Sequence, residues 1–196
     1  MDLMQLHLEK KAIRVLGVAE SFREKAKIST LVGVVMRRDL VIDGFGIGKL
    51  TVSGSDAAKA ITSLVEDLNR NDLNAIMLSG SVLSLYNIVD VDALCERLSL
   101  PVVALTFSKS KANLVQNIEE RFPKPIARKK KVLLEKLGTP KRMTLYTGYD
   151  VFVRNAGITE EVAKRLLDGF TLQGAIPEPV RVARLLAKEV STAGEK

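Results

Sequence analysis

Tryptophan is absent from this 196-residue chain, and cysteine and histidine occur once each. The lone thiol, Cys95, closes no internal disulfide and has no second cysteine to share a metal with, which excludes a disulfide scaffold and points to a reducing compartment, the cytoplasm. His7 stands near the start of the chain and is read as a surface residue, so histidine-based acid–base chemistry has little to draw on. The longest uncharged stretch, Leu73–Val89, contains Asn, Ser and Gly and falls short of a bilayer-crossing helix of about 20 apolar residues. The charged start of the chain lacks the apolar core of a signal peptide, and no membrane partner is expected. Zinc-protease, paired Cys-x-x-Cys, phosphate-loop and serine-hydrolase signatures are all missing.

What the chain does have is length enough for a proper core, 46% hydrophobic residues and a net charge of +7. One domain is expected over residues 1–196. Between Lys109 and Arg154 there are 12 Lys/Arg against 4 Asp/Glu, so this segment holds the whole basic excess. Its densest part is Lys124, Arg128, Lys129, Lys130, Lys131, Lys136, Lys141 and Arg142. Such a block can track the phosphates of DNA or RNA by releasing their counterions, or it can be a solvated helix face. Phe122, Tyr146 and Tyr149 flank the lysines rather than interleave with them, so base stacking within the segment is weakly supported.

Hydrophobic patterning gives strands at Ile13–Ala19, Thr30–Arg37 and Leu40–Val52, the last two joined as a hairpin at Arg38-Asp39. Gly44, Gly46 and Gly48 recur every second residue, which reads as one thin face of a strand rather than a phosphate loop. A helix is expected over Ser55–Asn69 with Ser55 as its N-cap, then a strand at Ala75–Ser79, a polar turn, a helix over Asp90–Leu98 and a strand at Pro101–Phe107. The order β-β-β-α-β-α-β implies an α/β fold with a mixed sheet covered on both faces. Beyond it come helices over Ala112–Phe122 and Ile126–Leu137 and β pieces at Met143–Tyr146 and Asp150–Arg154. A helix over Thr159–Asp168 and a last one from Pro177 or Pro179 to Ser191 close the chain.

Carboxylates are the chemistry that remains: Glu20 after the first strand, Asp43 and Asp56 in or after the third, Asp90 and Asp92 near the fourth, and Glu178 at the start of the last helix. Strand ends in such a sheet converge on one edge, where carboxylate oxygens can hold Mg²⁺ for phosphodiester hydrolysis. The same positions suit plain structural roles. Asp43 fits a strand-surface charge, and Asp56 and Asp90 fit helix starts stabilised by the macrodipole.

The segments LGVAESF (Leu16–Phe22), LVGVVMRRDLVIDG (Leu31–Gly44), SGSDAAKAI (Ser53–Ile61), LSGSVLSLYNIVDVDAL (Leu78–Leu94), LPVVAL (Leu100–Leu105) and IPEPVRVARLLA (Ile176–Ala187), in that order, resemble the endonuclease dU family, which is distantly similar to endonuclease V. The resemblance covers nearly the whole chain and implies a ribonuclease-H-like fold. By that resemblance the activity is a divalent-metal nuclease acting on DNA or RNA at a deaminated base, uracil or hypoxanthine, with Mg²⁺ or Mn²⁺ as cofactor. Endonuclease V proteins carry Gly-Val-Asp-Val-Ser-Tyr in the first strand, and Gly17 to Phe22 match that frame with Ala19 in place of the metal-binding Asp. Ser79-Gly80 replaces their Asp-Gly, and Arg184 follows the last motif where they have Asp or His.

A rearranged site drawing oxygens from Glu20, Asp56, Asp90 and Glu178, with Glu20 and Asp90 on the metal and Arg181 or Arg184 on the phosphate, is one expectation. Glu20 fills the place of Ala19 only if the strand bulges or turns there. A protein that binds nucleic acid without cutting it is the other, favoured by Ala19, Ser79 and Arg184. Glu178 and Arg181 also have a structural reading, as an ion pair fixing the last helix.

Overall fold

The computed structural model describes residues 3–6, 8, 12–106 and 112–193, so His7, Phe107 and Lys109 lie outside the described residues. Nine strands and six helices are formed among them. A seven-stranded sheet runs in the order β3 (Ile42–Thr51), β2 (Ile28–Arg37), β1 (Arg14–Ser21), β4 (Ala75–Leu78), β7 (Val102–Thr106), β9 (Asp150–Ala156) and β8 (Lys141–Thr144). β1, β4 and β7 are parallel, and the remaining pairings are antiparallel. The mixed sheet expected from the element order is thus present. Its central strands AIML and VVAL are apolar without alternation because both of their faces are covered.

α1 (Ala57–Asp67) and α2 (Val91–Leu98) cover one face, packing Ile61, Leu64 and Leu94 on Leu16, Val18, Ile76 and Leu78. α5 (Glu160–Phe170) and α6 (Glu178–Ala193) cover the other, setting Leu166, Phe170 and Val180 against Val15, Met77 and Val103. The glycine-alternating segment is strand β3, as its spacing suggested. A Cβ on Gly46 would lie 2.9 Å from Leu64 Cδ1, so the bare face is what lets α1 lie close to this edge. On the opposite side of the sheet the same logic holds at Gly17, where a Cβ would sit 2.3 Å from the carbonyl carbon of Pro179.

Several boundaries move. α3 (Ala112–Arg121) is followed by α4 (Lys124–Leu137), which starts two residues before the expected Ile126, with Pro125 in its first turn where a missing N–H costs nothing. The polar turn after β4 contains a two-stranded hairpin, β5 (Val82–Leu83) and β6 (Asn87–Ile88). Ser55 does not cap α1. The N-cap is Asp56, and the Ala57 N–H instead donates to Asn87 Oδ1 at 2.9 Å.

Candidate nucleic-acid interface

The hairpin β5–β6 lies beyond the carboxyl end of β4, and three of the four carboxylates expected in the rearranged site (Glu20, Asp56 and Asp90) sit against this hairpin or at the start of α2 just beyond it. Glu20, at the end of β1, accepts from the Ser84 N–H at 2.9 Å, the Ser84 hydroxyl at 2.9 Å and the Ser29 hydroxyl at 2.6 Å. Asp56 accepts from Asn87 Nδ2 at 2.6 Å, and from the backbone N–H and hydroxyl of Thr51. Burial raises the Asp56 pKa, but the bonds from Asn87 and Thr51 outweigh it and hold the carboxyl below its ordinary 3.8. Asp90 caps α2 through the Ala93 N–H and pairs with Lys136 at 2.5 Å. There too burial raises the pKa, and the Lys136 and Ala93 bonds bring the net shift downward.

Glu178 and Arg181 stand on the other face. Alternation along β1 turns Leu16, Val18 and Glu20 toward α1 and α2, and Val15, Gly17 and Ala19 toward α5 and α6. The β1–β2 register runs unbroken from Arg14↔Arg37 to Ser21↔Thr30, so no bulge carries Glu20 round to the side of Ala19. Ala19 itself is buried under Ala183 and Ala187 of α6. Glu178 is 3% exposed and forms an ion pair with Arg181, the structural role its spacing allowed. One of its oxygens, Oε1, is buried with no hydrogen-bond partner. Asp43 is far from all of these. It pairs with Arg14 and Arg70 at the opposite end of β1, six residues or about 20 Å from Glu20.

A divalent cation takes several oxygens at once. Among the described residues no group of three His, Cys, Asp or Glu side chains gathers in a way that could hold a metal. The oxygens of Glu20, Asp56 and Asp90 already accept hydrogen bonds or an ion pair, and Glu178 offers its free oxygen from the other face. As placed, the donor set does not fit a preformed Mg²⁺ or Mn²⁺ centre.

The basic segment is less uniform than its sequence. Lys130 is 2% exposed and points inward from α4, donating to the carbonyl oxygens of Tyr86 (2.7 Å) and Gly54 and lying 4.8 Å from the Phe122 ring centroid. Burial pushes its ammonium below the ordinary value of 10.5, with Asp56 pulling the other way. Lys130 is thus unavailable to phosphate, a correction to the expected lysine row. Its place on the apolar stripe Ala127–Lys130–Leu134 is the signal that identifies it. Lys131, Lys141 and Arg142 pair with Glu119, Glu160 and Asp150. Lys124, Arg128 and Lys129 have no ion partner among the described residues and line a groove of about 850 Å³ with Pro125, Val132 and Leu133. Asn87, which the sequence sets beside Asp90 as a candidate for the rearranged site, ties Thr51, Asp56 and α1 to the hairpin.

Residues 11–191 match the Endonuclease dU family. The chain belongs to that family. A UPF0215 protein of Pyrobaculum calidifontis is 33% identical over 175 residues, covering 89% of this chain and 95% of that protein. One from Thermoplasma volcanium is 32% identical over 188 residues, covering 92% and 91%. A protein of unknown function from Archaeoglobus fulgidus superposes with a TM-score of 0.78 at 24% identity, covering 91% of this chain and 98% of that one. Human ENDOV gives 0.65 at 16%, covering 100% and 92%. Ciona intestinalis endonuclease V, solved with DNA containing an inosine, gives 0.60 at 14%, covering 93% and 87%. The fold is therefore the ribonuclease-H-like fold of endonuclease V, and the Endonuclease dU chain is endonuclease-like in family and architecture.

Proposed function

We propose that this Endonuclease dU protein engages DNA or RNA carrying a deaminated base, uracil or hypoxanthine, along the edge formed by α4 and the hairpin β5–β6, and acts on the bound strand as a repair nuclease of the cytoplasm. The observation that carries the reading is Lys130. It anchors α4 to the 53–55 loop and to the hairpin that hold Asp56, Asn87 and Glu20, so the helix whose outer face carries Lys124, Arg128 and Lys129 is fixed next to the elements that carry the carboxylates. The family, and a fold shared with an endonuclease V bound to inosine-containing DNA, support the same reading. Mg²⁺ or Mn²⁺ is the cofactor that kinship implies. What the chain's own residues do is hold the backbone through α4, while Arg181, expected on the phosphate, is tied to Glu178 on the other face of the sheet.

A second reading, binding without hydrolysis, is favoured by Ala19, Ser79 and Arg184, which stand at the three positions where endonuclease V has its metal ligands. The two separate in one experiment. Labelled uracil- and hypoxanthine-containing DNA and RNA oligonucleotides are incubated with the protein in Mg²⁺, Mn²⁺ or EDTA, and cleavage and retention are read together. Cutting that EDTA abolishes supports the first reading; retention with no cutting in any metal overturns it in favour of the second.

A further inference from the structure

α6 covers only part of its face of the sheet. Ala183 and Ala187 lie on Val32 and Val34, but Ile28 and Thr30 of β2 and Phe45, Ile47 and Lys49 of β3 share that face beyond the helix. Phe45 and Ile47, successive on this face of the edge strand, are 63% and 52% exposed, and Ile28, two same-face register pairs further along on β2, is 51% exposed. A groove of about 640 Å³ opens here, floored by Ile28, Thr30 and Ile47 and walled by the 22–26 loop and the Val190–Ser191 end of α6. Arg23, Lys25 and Lys49 line it against a single acid, Glu24. Lys25 and Lys49 have no ion partner among the described residues. The groove lies at the Glu20 end of β1, since Ser21 pairs with Thr30, but on the opposite face of the sheet from the Glu20 side chain.

We propose that this groove, with Phe45 next to Ile47 on the same face of β3, is a second nucleic-acid contact that takes an unpaired stretch of the strand, with Lys25 and Lys49 on its phosphates and Ile28, Ile47 and the neighbouring Phe45 ring under its bases. The inference rests on the nucleic-acid reading above and extends it to a surface outside the basic segment. Charge selects a polyanion: Lys25 and Lys49, drawn from two separate pieces of chain, face a single acid among the residues that line the groove. The floor selects the single strand. A duplex presents phosphates and keeps its base faces stacked inside, whereas an unpaired strand has base faces to lay on apolar side chains. Counting charge along the sequence hides this patch, because Arg23, Lys25 and Lys49 are diluted by the acids around them and converge only through the β2–β3 register.

The test is fluorescence anisotropy of the full chain with two probes of about 20 nucleotides, a labelled oligo-dT strand and a blunt duplex, titrated against salt. Lys25→Gln/Lys49→Gln is expected to weaken oligo-dT binding about tenfold and to lower the log–log salt slope by about 1.4, the single-strand value of 0.7 per charge. Phe45→Ser/Ile47→Ser is expected to weaken oligo-dT about tenfold with the slope unchanged and the duplex affinity retained. Oligo-dT binding unaltered in both variants, while substitution of Lys124, Arg128 and Lys129 weakens it, would overturn this inference and leave the α4 reading standing. So would light scattering that finds a wild-type dimer dissolved by Phe45→Ser/Ile47→Ser, since the face would then belong to a second copy. Wild-type protein binding neither probe at low salt would overturn both.

Discussion

The Lys130 ammonium donates to the Tyr86 carbonyl oxygen at 2.7 Å from a site 2% exposed, fixing the most basic helix of the chain to the hairpin that gathers its carboxylates. Lys130→Met removes that donor and leaves the carbonyls of Tyr86 and Gly54 buried without it. A loss of about 2–4 kcal/mol in denaturant-derived stability is expected. Lys129→Met, one residue away and exposed, is expected to change stability by less than about 0.5 kcal/mol. Equal effects from the two would remove Lys130 from its anchoring role.

The cations of the basic segment divide into those already paired and those facing solvent alone. Reversing Lys124, Arg128 and Lys129 together is expected to weaken duplex binding uniformly across sequences and to lower the salt slope by about 2–3. Neutralising Lys131, Lys141 and Arg142, whose charges are met by Glu119, Glu160 and Asp150, is expected to change it by less than about 1. Salt-titrated binding of both triple variants checks the division.

Much of the fold is legible in the sequence because periodicity reports burial. The unalternating AIML and VVAL place the central strands, and Gly-Phe-Gly-Ile-Gly reads as a strand with one bare face. The hairpin at 82–88 is not legible, because its two-residue strands are too short for a period to show, and Ser84 and Leu85 take positive φ without a glycine to announce the turn. The site is legible only in part. Glu20, Asp56 and Asp90 stand out by residue type, but which face of β1 each neighbour takes is settled by the register, and that Asn87 bonds Asp56 rather than its sequence neighbour Asp90 follows only from the hairpin. Lys130 is hidden by its neighbours: in Arg128-Lys129-Lys130-Lys131 nothing but helical spacing separates the buried lysine from the exposed ones.

Asp56 links the site to pH. Its folded-state pKa lies below the ordinary 3.8, so the stability it contributes is complete above that value and is lost as pH falls through the folded-state value. Thermal melts between about pH 2 and 6 are expected to show the wild-type midpoint falling at the acid end, and the Asp56→Asn midpoint falling less steeply. Parallel curves would contradict the assignment.

The close approach of α6 to β1 has a direct test at Gly17. An alanine Cβ there meets the Pro179 backbone at 2.3–2.5 Å, which no side-chain rotation relieves, and a cost of about 3 kcal/mol or more is expected. Gly48→Ala, whose Cβ would find only ordinary contacts at 3.8–3.9 Å, is expected to stay within about 1 kcal/mol of wild type. Chemical denaturation of the two proteins gives the comparison.

The most direct measurement is incubation of the purified protein with uracil- and hypoxanthine-containing oligonucleotides in Mg²⁺, Mn²⁺ or EDTA, beside the undamaged sequence. The expected result is salt-sensitive retention together with cutting confined to the damaged strands and abolished by EDTA. Failure to retain any of the oligonucleotides at low salt would contradict the nucleic-acid reading at its root.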